Sequence, residues 1–187
     1  MLSQDKAIEI LHKNMKNENL RRHCYAVEAA MRALAQHFNE DQDMWGIAGL
    51  LHDADYELTK DDTTKHVITV ISWLKDMGVD QNIINAINAH GWKFVKSCPE
   101  PKNKMEWSLY CCDELTGLII AVSLVKDKKL ENVTVESVLK KFPKKDFAKG
   151  VDRNQIKLCE EKLEIPLKEF VRITLTAMKR IHTELGV

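Results

Sequence analysis

Helix-breaking residues are scarce along this chain, and that scarcity limits its possible folds more than any other feature. Only seven glycines and four prolines occur in 187 residues. Apolar residues recur at helical spacing almost throughout, whereas no segment shows the alternating pattern of a half-buried strand. The sequence therefore predicts an all-α protein.

The predicted helices form a core followed by a C-terminal extension. The acidic segment 54–62 and the proline-containing segment 92–104 are predicted as loops. The length fits a single domain, 1–187, with a core at residues 18–125 and a helical extension at 126–187. Helices are predicted at residues 3–15, 20–38, 42–52, 63–78, 80–89, 105–125, 135–141, 152–163 and 166–185.

Charge and cysteine content argue against several classes of protein. Lys plus Arg equals Asp plus Glu, at 28 each, so the chain has no global attraction for nucleic acid or anionic membranes. The five cysteines lack zinc-ribbon or thioredoxin spacing, and their odd number fits reduced thiols. No signal peptide is recognisable, and the longest apolar segment, 118–125, is far shorter than the roughly 20 residues that span a bilayer. We expect a cytoplasmic protein whose partners are neither a membrane nor a long nucleic acid. The sequence is compatible with a homo-oligomer.

Several ionisable residues lie on faces that the sequence predicts to be buried. Apolar neighbours at helical spacings place His23 and His90 on inward faces. Asp113 lies on the inward face of the long helix predicted at 105–125. His52 and Asp53 end a helix whose preceding residues are nearly all apolar. These groups should therefore meet in the interior.

A divalent cation gives these inward polar groups a common explanation. A buried carboxylate is costly unless it is paired or bound to a metal. Imidazoles and carboxylates together suit manganese, iron, cobalt, nickel or zinc. Such an ion can polarise a phosphoryl oxygen and lower the pKa of a coordinated water to about 7. The chain shows no nucleophile elbow and no persuasive Ser-His-Asp order, so the residues favour metal-dependent hydrolysis.

The order His23, then His52-Asp53, then Asp113 resembles the H…HD…D signature of the HD superfamily of metal-dependent phosphohydrolases. The sequence AGLLHD at 48–53 resembles the A-x-L-L-H-D helix end of that family, although Ala-Asp follows where the family often has Ile-Gly. Segments 113–119 and 141–153 are similar to small bacterial HDIG-type proteins described only as hydrolases. The resemblance covers nearly the full chain and implies an HD-type helical bundle with additional C-terminal helices.

The resemblance also implies a set of metal ligands. One divalent ion would be held by the four residues of the signature, His23, His52, Asp53 and Asp113. His66 and His90 match the two extra histidines of members with dinuclear centres, and would complete a second ion with Asp53 as the bridge. The expected cofactor is therefore one or two divalent ions per chain.

Residues next to the signature are assigned further roles. Asp53 is predicted to be catalytic, and either Asp55 or Glu57 in the acidic loop is predicted to take or give a proton, unless this loop is simply solvated. Arg21 and Arg22 resemble the basic residue that commonly precedes the first histidine. They are predicted either to hold a substrate phosphate or to be surface charges.

A lysine-rich segment and a pair of aromatic residues each allow two interpretations. The lysines within residues 140–149 either rim an anionic pocket or form a charged helix face. Trp92 and Phe94 either stack on a nucleobase or pack within their loop. The sequence alone does not choose between them.

The favoured function is a metal-dependent phosphohydrolase acting on a small phosphate ester, with nucleotides as the expected class. One alternative is a di-iron oxygenase, since HD-fold proteins such as myo-inositol oxygenase and a phosphonate-cleaving relative hold two irons. Another is a regulatory HD domain that binds nucleotides. The near-complete ligand set favours an enzyme, because without a metal it would leave buried carboxylates unpaired.

Overall fold

The computed structural model describes residues 2–187 and consists of α-helices joined by short connections. No β-strand occurs within that range, so the predicted all-α class is confirmed. Two 3₁₀ turns, Thr63–Lys65 and Leu130–Asn132, lie between helices. The helices are α1 (Gln4–Asn14), α2 (Glu18–Phe38), α3 (Gln42–Leu51), α4 (Tyr56–Thr59), α5 (Ile68–Asp76), α6 (Gln81–His90), α7 (Lys104–Leu124), α8 (Val135–Lys141), α9 (Arg153–Lys162), α10 (Leu167–Arg180) and α11 (His182–Leu185).

Most of the longer helices begin at a polar side chain that accepts a hydrogen bond from a backbone N–H of the first turn. Such a side chain satisfies a donor that has no partner within the helix. These caps explain why most predicted boundaries lie within one or two residues of the observed ones. The capping residues are Ser3, Asn17, Asp41, Asp80, Asn103, Thr134 and Asp152.

Helices α2 and α7 form the centre of the bundle. Helix α2 packs against α3, α7 and α10, while α7 also packs against α6 and α9. Val27 and Met31 of α2 and Leu115 and Leu118 of α7 are fully buried. The two helices that carry the first and last residues of the H…HD…D signature are therefore neighbours in the core.

Within residues 2–187, α7 is also the one helix that is long and apolar enough, by length and composition alone, to cross a membrane. However, 67% of its most apolar stretch is buried inside the protein. A helix that is apolar on all sides is typical of the centre of a helical domain, and this is where α7 lies.

The segment after the signature differs from its prediction. The predicted loop 54–62 contains the short helix α4, and the predicted helix 63–78 is broken. Asp62 does not cap a helix; its carboxylate accepts a hydrogen bond from the Thr64 hydroxyl at 2.5 Å. The chain then turns at Val67, whose φ of 70° lies in the left-handed region, so α5 begins only at Ile68.

The C-terminal extension completes the core. Helix α10 packs against both α2 and α7, and α9 packs along α7. Phe170 and Met178 of α10 are fully buried. The predicted last helix is interrupted at Ile181, which separates α10 from α11.

Candidate metal centre

The structure brings together all six side chains predicted as metal ligands. They come from separate parts of the bundle and meet where α2, α3, α6 and α7 converge. His23 lies on α2, His52 and Asp53 follow the last turn of α3, His66 follows the first 3₁₀ turn, His90 ends α6, and Asp113 lies in the middle of α7.

Asp53 lies between two pairs of histidines. Its Oδ1 is 3.3 Å from Nε2 of both His66 and His90. Its Oδ2 is 3.6 Å from Nε2 of His52 and 3.9 Å from Nε2 of His23. Each oxygen thus faces a different pair of imidazoles, which is the arrangement expected of a carboxylate that bridges two metal positions.

Asp113 completes the first of these positions. Its Oδ1 lies 2.9 Å from Nε2 of His23 and 3.5 Å from Nε2 of His52. Ligand atoms that each lie about 2.1 Å from one ion are separated by roughly 3.0 to 3.5 Å. The Asp113 distances therefore suit a cation between these side chains. In each of the groups His23-His52-Asp113 and His52-Asp53-His90, the ligand atoms lie within 4.8 Å of one another.

The four imidazoles are oriented through their Nδ1 atoms. His52 Nδ1 donates to the carbonyl of Gly49 at 2.7 Å, and His90 Nδ1 donates to the carbonyl of Ile87 at 2.6 Å. His66 Nδ1 donates to Asp55 Oδ1 at 2.8 Å. These bonds direct each Nε2 into the cluster, where it can bind a metal once it is unprotonated, and such outer hydrogen bonds are typical of histidines that bind metals.

His23 is oriented less tightly. Its Nδ1 lies 3.4 Å from the hydroxyl of Thr116, which itself donates to the carbonyl of Asp113 at 2.8 Å. Thr116 therefore links the first and last residues of the signature.

His52 supplies the test of whether a metal fits. Its side chain is fully buried, and its Nε2 has no hydrogen-bond partner among residues 2–187. A buried nitrogen without a partner is unfavourable, and this one faces two carboxylates. A metal ion bound by Nε2 of His52 resolves the deficit, so the donor set fits a divalent cation.

The six side chains differ in exposure, and the difference shows where the centre opens. The most exposed are His23 at 28% and Asp113 at 21%. Asp53 and His66 are at 16% and 14%, and His90 is at 5%. A ligand from solvent therefore reaches the centre along α2 and α7.

The sequence profile of the HD domain family matches residues 20–157. This chain belongs to the HD domain family. The match includes all six clustered side chains and extends beyond residue 125 into the C-terminal helices. Proteins of this family are generally hydrolase-like and typically bind divalent metals. No curated protein is similar enough to give a significant match.

Charges within this HD centre shift pKa values strongly. Burial opposes protonation of His52, but Asp53 and Asp113 outweigh it and raise its pKa to about 9. Burial likewise opposes protonation of His66, but hydrogen bonds to Asp53 and Asp55 raise its pKa to about 10. Burial disfavours ionisation of Asp53 and Asp113, yet the neighbouring histidines hold both pKa values below their usual range. Without a metal, the protonated rings of His52 and His66 therefore face ionised carboxylates.

The proton-transfer role predicted for Asp55 or Glu57 is not supported by their positions. Asp55 is fully buried; Oδ1 accepts from His66, and Oδ2 accepts from the backbone N–H of Val70 at 3.0 Å. Glu57 accepts from the backbone N–H groups of Lys16 and Asn17, in the α1–α2 connection. Asp55 therefore positions His66, and Glu57 holds two segments together.

The unusual backbone at Val67 also positions His66. A β-branched residue with φ near 70° is strained, at a cost of about 1 to 3 kcal/mol. The Val67 side chain is fully buried, and a Cβ added at Gly91 would lie 3.0 Å from its Cγ2. The residue after His66 therefore packs tightly against the residue after His90, which ties the two histidines together.

Neither predicted phosphate-binding arginine lies against the clustered carboxylates. Arg21 donates to the carbonyls of Met15 and His12 at 2.7 and 3.1 Å, at the end of α1. Arg22 lies 3.8 Å from Glu18 and next to Gly186. Their positions support structural roles because their guanidinium groups are directed at other partners.

Glu114, beside the predicted ligand Asp113, is a residue of the centre's surroundings that the sequence analysis missed. Glu114, which follows a predicted ligand, accepts a hydrogen bond from the backbone N–H of Asp152 at 2.9 Å. Burial raises the pKa of Glu114 to about 7, the charge of Asp113 adds to the effect, and the Asp152 hydrogen bond opposes it. The acidic pair at 113–114 is the only sign of Glu114 in the sequence.

Trp92 packs against Trp107 at a distance of 5.7 Å between the ring centroids, which agrees with the alternative that it packs within the protein.

Proposed function

We propose that this HD domain is a metal-dependent phosphohydrolase acting on a small phosphate ester, and that nucleotides are the first class of substrate to test. One observation carries the proposal: the two oxygens of Asp53 face two different pairs of histidines. This arrangement favours two metal positions that share one carboxylate. A pair of divalent ions is a recurrent means of hydrolysing phosphate esters.

Each position would draw on a defined set of side chains. The first would be held by His23, His52, Asp113 and Oδ2 of Asp53. The second would be held by His66, His90 and Oδ1 of Asp53. Bound ions supply polarisation of the phosphoryl group and a lowered pKa for coordinated water.

The protein's own groups define the rest of the chemistry. His52 and His90 are almost wholly buried and exclude bulk water from the inner side of the centre. His23 and Asp113 form the open side, where the phosphate ester would approach. Asp55 would orient His66 for metal binding, because Nδ1 donates to its carboxylate and Nε2 then faces Asp53.

The test is a hydrolysis screen over nucleotides and sugar phosphates with manganese, cobalt or nickel added. We expect turnover by the wild type and a loss of at least about 100-fold for Asp53→Asn. Asp61→Asn is the matched control, because Asp61 is an exposed carboxylate nearby in the chain. Equal turnover by wild type and Asp53→Asn would contradict the assigned centre.

Two further measurements, combined with the hydrolysis screen, distinguish the two other functional classes. A mixed-valence signal in electron paramagnetic resonance of iron-loaded protein, without phosphatase activity, would support a di-iron oxygenase instead. Nucleotide binding without turnover in any metal would support a regulatory domain.

A further inference from the structure

A cavity of about 480 Å³ lies between the segment that follows α8 and the first turns of α9. Lys145, Lys149 and Lys157 line it, together with Asn154 and the ring of Phe142. It lies outside the six-residue cluster, and the proposed hydrolysis makes no use of it.

The lining of this cavity is strongly cationic although the whole chain has no net charge. Four basic side chains and one carboxylate, that of Asp152, line it. Asp152 already caps α9 by accepting from the backbone N–H groups of Asn154 and Gln155. The three lysines of the cavity, Lys145, Lys149 and Lys157, form no ion pair with any residue in the range 2–187.

The fourth basic residue, Arg153, builds the cavity wall. Its guanidinium donates to backbone carbonyls throughout the connection, including those of Phe142, Ala148 and Val151. This network fixes the path of residues 142–152, so Lys145 and Lys149 line the same cavity as Lys157 despite the repulsion between their charges. An anion between them would offset that repulsion with charge-assisted hydrogen bonds.

The same connection contacts α7 next to one of the clustered side chains, Asp113. The backbone N–H of Asp152 donates to Glu114 Oε2 at 2.9 Å, one residue after Asp113. A Cβ added at Gly117 would lie 3.9 Å from Val151 Cγ2. The cavity wall formed by Val151 and Asp152 therefore contacts α7 beside Asp113, and Asp113 belongs to the open side of the centre.

We propose that the cavity binds a second phosphate group of the substrate, so that this site selects small molecules with two separated phosphates. The inference rests on the proposed function and narrows its substrate class. Lys145, Lys149 and Lys157 would hold the phosphate that is not hydrolysed. The phosphate at the metal centre would be the one removed.

The first test needs no activity. Inorganic phosphate is titrated into metal-free ¹⁵N-labelled protein, and the amide signals of Asn154 and Lys157 are followed by NMR. We expect saturable shifts, with affinity about tenfold weaker in the triple variant Lys145→Gln, Lys149→Gln, Lys157→Gln. The matched control removes equal charge from another exposed segment, Lys126→Gln, Lys128→Gln, Lys129→Gln, and should bind like the wild type.

The second test concerns selectivity. For the metal-loaded protein, we expect a nucleoside 3′,5′-bisphosphate to have a KM about tenfold below that of the 5′-monophosphate. The triple variant at 145, 149 and 157 should lose this advantage through a higher KM for the bisphosphate, while the control triple variant at 126, 128 and 129 should keep it.

The two tests separate failure of the inference from failure of the proposed function. If no phosphate ester in the screen is hydrolysed, the proposed function fails. The affinities of the same two nucleotides, measured by calorimetry, then replace KM in the comparison. Non-saturable phosphate shifts, or equal shifts in the triple variant, would overturn the cavity as an anion site. Phosphate binding without preference for the bisphosphate would overturn its role in substrate selection.

Discussion

At the scale of single residues, the centre consists of side chains that direct a ligand atom into the cluster and of neighbours that hold those side chains in position. Asp53 presents its two oxygens to different histidines. Asp55 holds Nδ1 of His66, and Nε2 of the same ring faces Asp53. A change at Asp53 should therefore affect both metal positions, whereas a change at Asp55 should affect the second alone.

Asp55→Asn tests this division. The loss of charge removes the strong acceptor for His66 Nδ1, and outer-sphere changes of this kind typically weaken metal binding about 10- to 100-fold. We expect one metal to bind with that loss and the other to bind as in the wild type, as measured by calorimetry. Glu57→Gln is the control, since Glu57 contacts backbone of the α1–α2 connection. Equal weakening of both metals would contradict the assignment.

Metal binding should also release protons. In the metal-free protein, His52 and His66 have pKa values of about 9 and about 10, so both are protonated at pH 7. A metal needs neutral imidazoles, so apparent affinity should rise with pH between 6 and 8. Calorimetry in buffers with different ionisation enthalpies measures the release directly. A binding enthalpy that is independent of the buffer would show that these histidines are not ligands.

At the scale of helices, the close approach of α2 and α3 sets the distance between His23 and His52. Gly49 permits this approach, because an added Cβ would lie 2.9 Å from the carbonyl oxygen of Val27 and 3.0 Å from Cα of Glu28. Both of those atoms belong to the backbone of α2. The carbonyl of Gly49 also accepts a hydrogen bond from Nδ1 of His52. Gly49 therefore determines both the position and the direction of the His52 side chain.

Gly49→Ala should therefore disturb fold and centre together. Forcing α3 away from the α2 backbone should cost about 1 to 3 kcal/mol of unfolding free energy, and metal affinity should fall. Thermal melts with and without metal measure both effects. Gly150→Ala is the matched control, because nothing lies within 4 Å of an added Cβ there. A Gly49→Ala protein as stable as the control would disprove this packing argument.

The sequence predicted the helices better than the connections between them. Periodicity and capping residues marked most helices, and the position of His23 on the inward face of α2 followed from them. The break at Val67 could not be predicted, because φ near 70° is unfavourable for valine and arises from packing against the turn after His90. The role of Asp55 depends on that break, which explains why proton transfer was predicted in place of its contact with His66.

At the scale of the whole molecule, the core of the bundle includes its last helices. Phe170, Val171 and Met178 of α10 are fully buried, and α10 packs against both α2 and α7. Burying side chains of this size contributes about 1.5 to 3 kcal/mol each. That is a large part of the roughly 5 to 15 kcal/mol net stability of a typical domain.

A fragment ending at residue 125 should therefore fail to fold, although it contains all six clustered side chains. We expect it to show no cooperative thermal transition by circular dichroism, with or without divalent metal, whereas the full chain melts cooperatively. A cooperative, metal-stabilised transition in the fragment would show that the extension is a separate unit.

The central claim is that distant parts of the chain converge to hold two divalent ions through one shared carboxylate. Elemental analysis of protein purified without chelator, with ions counted per chain, tests it most directly. The account predicts two ions per wild-type chain, one for His66→Ala, and a loss from both positions for Asp53→Ala. A wild-type chain with fewer than two ions, or an Asp53→Ala chain with the wild-type content, would contradict it.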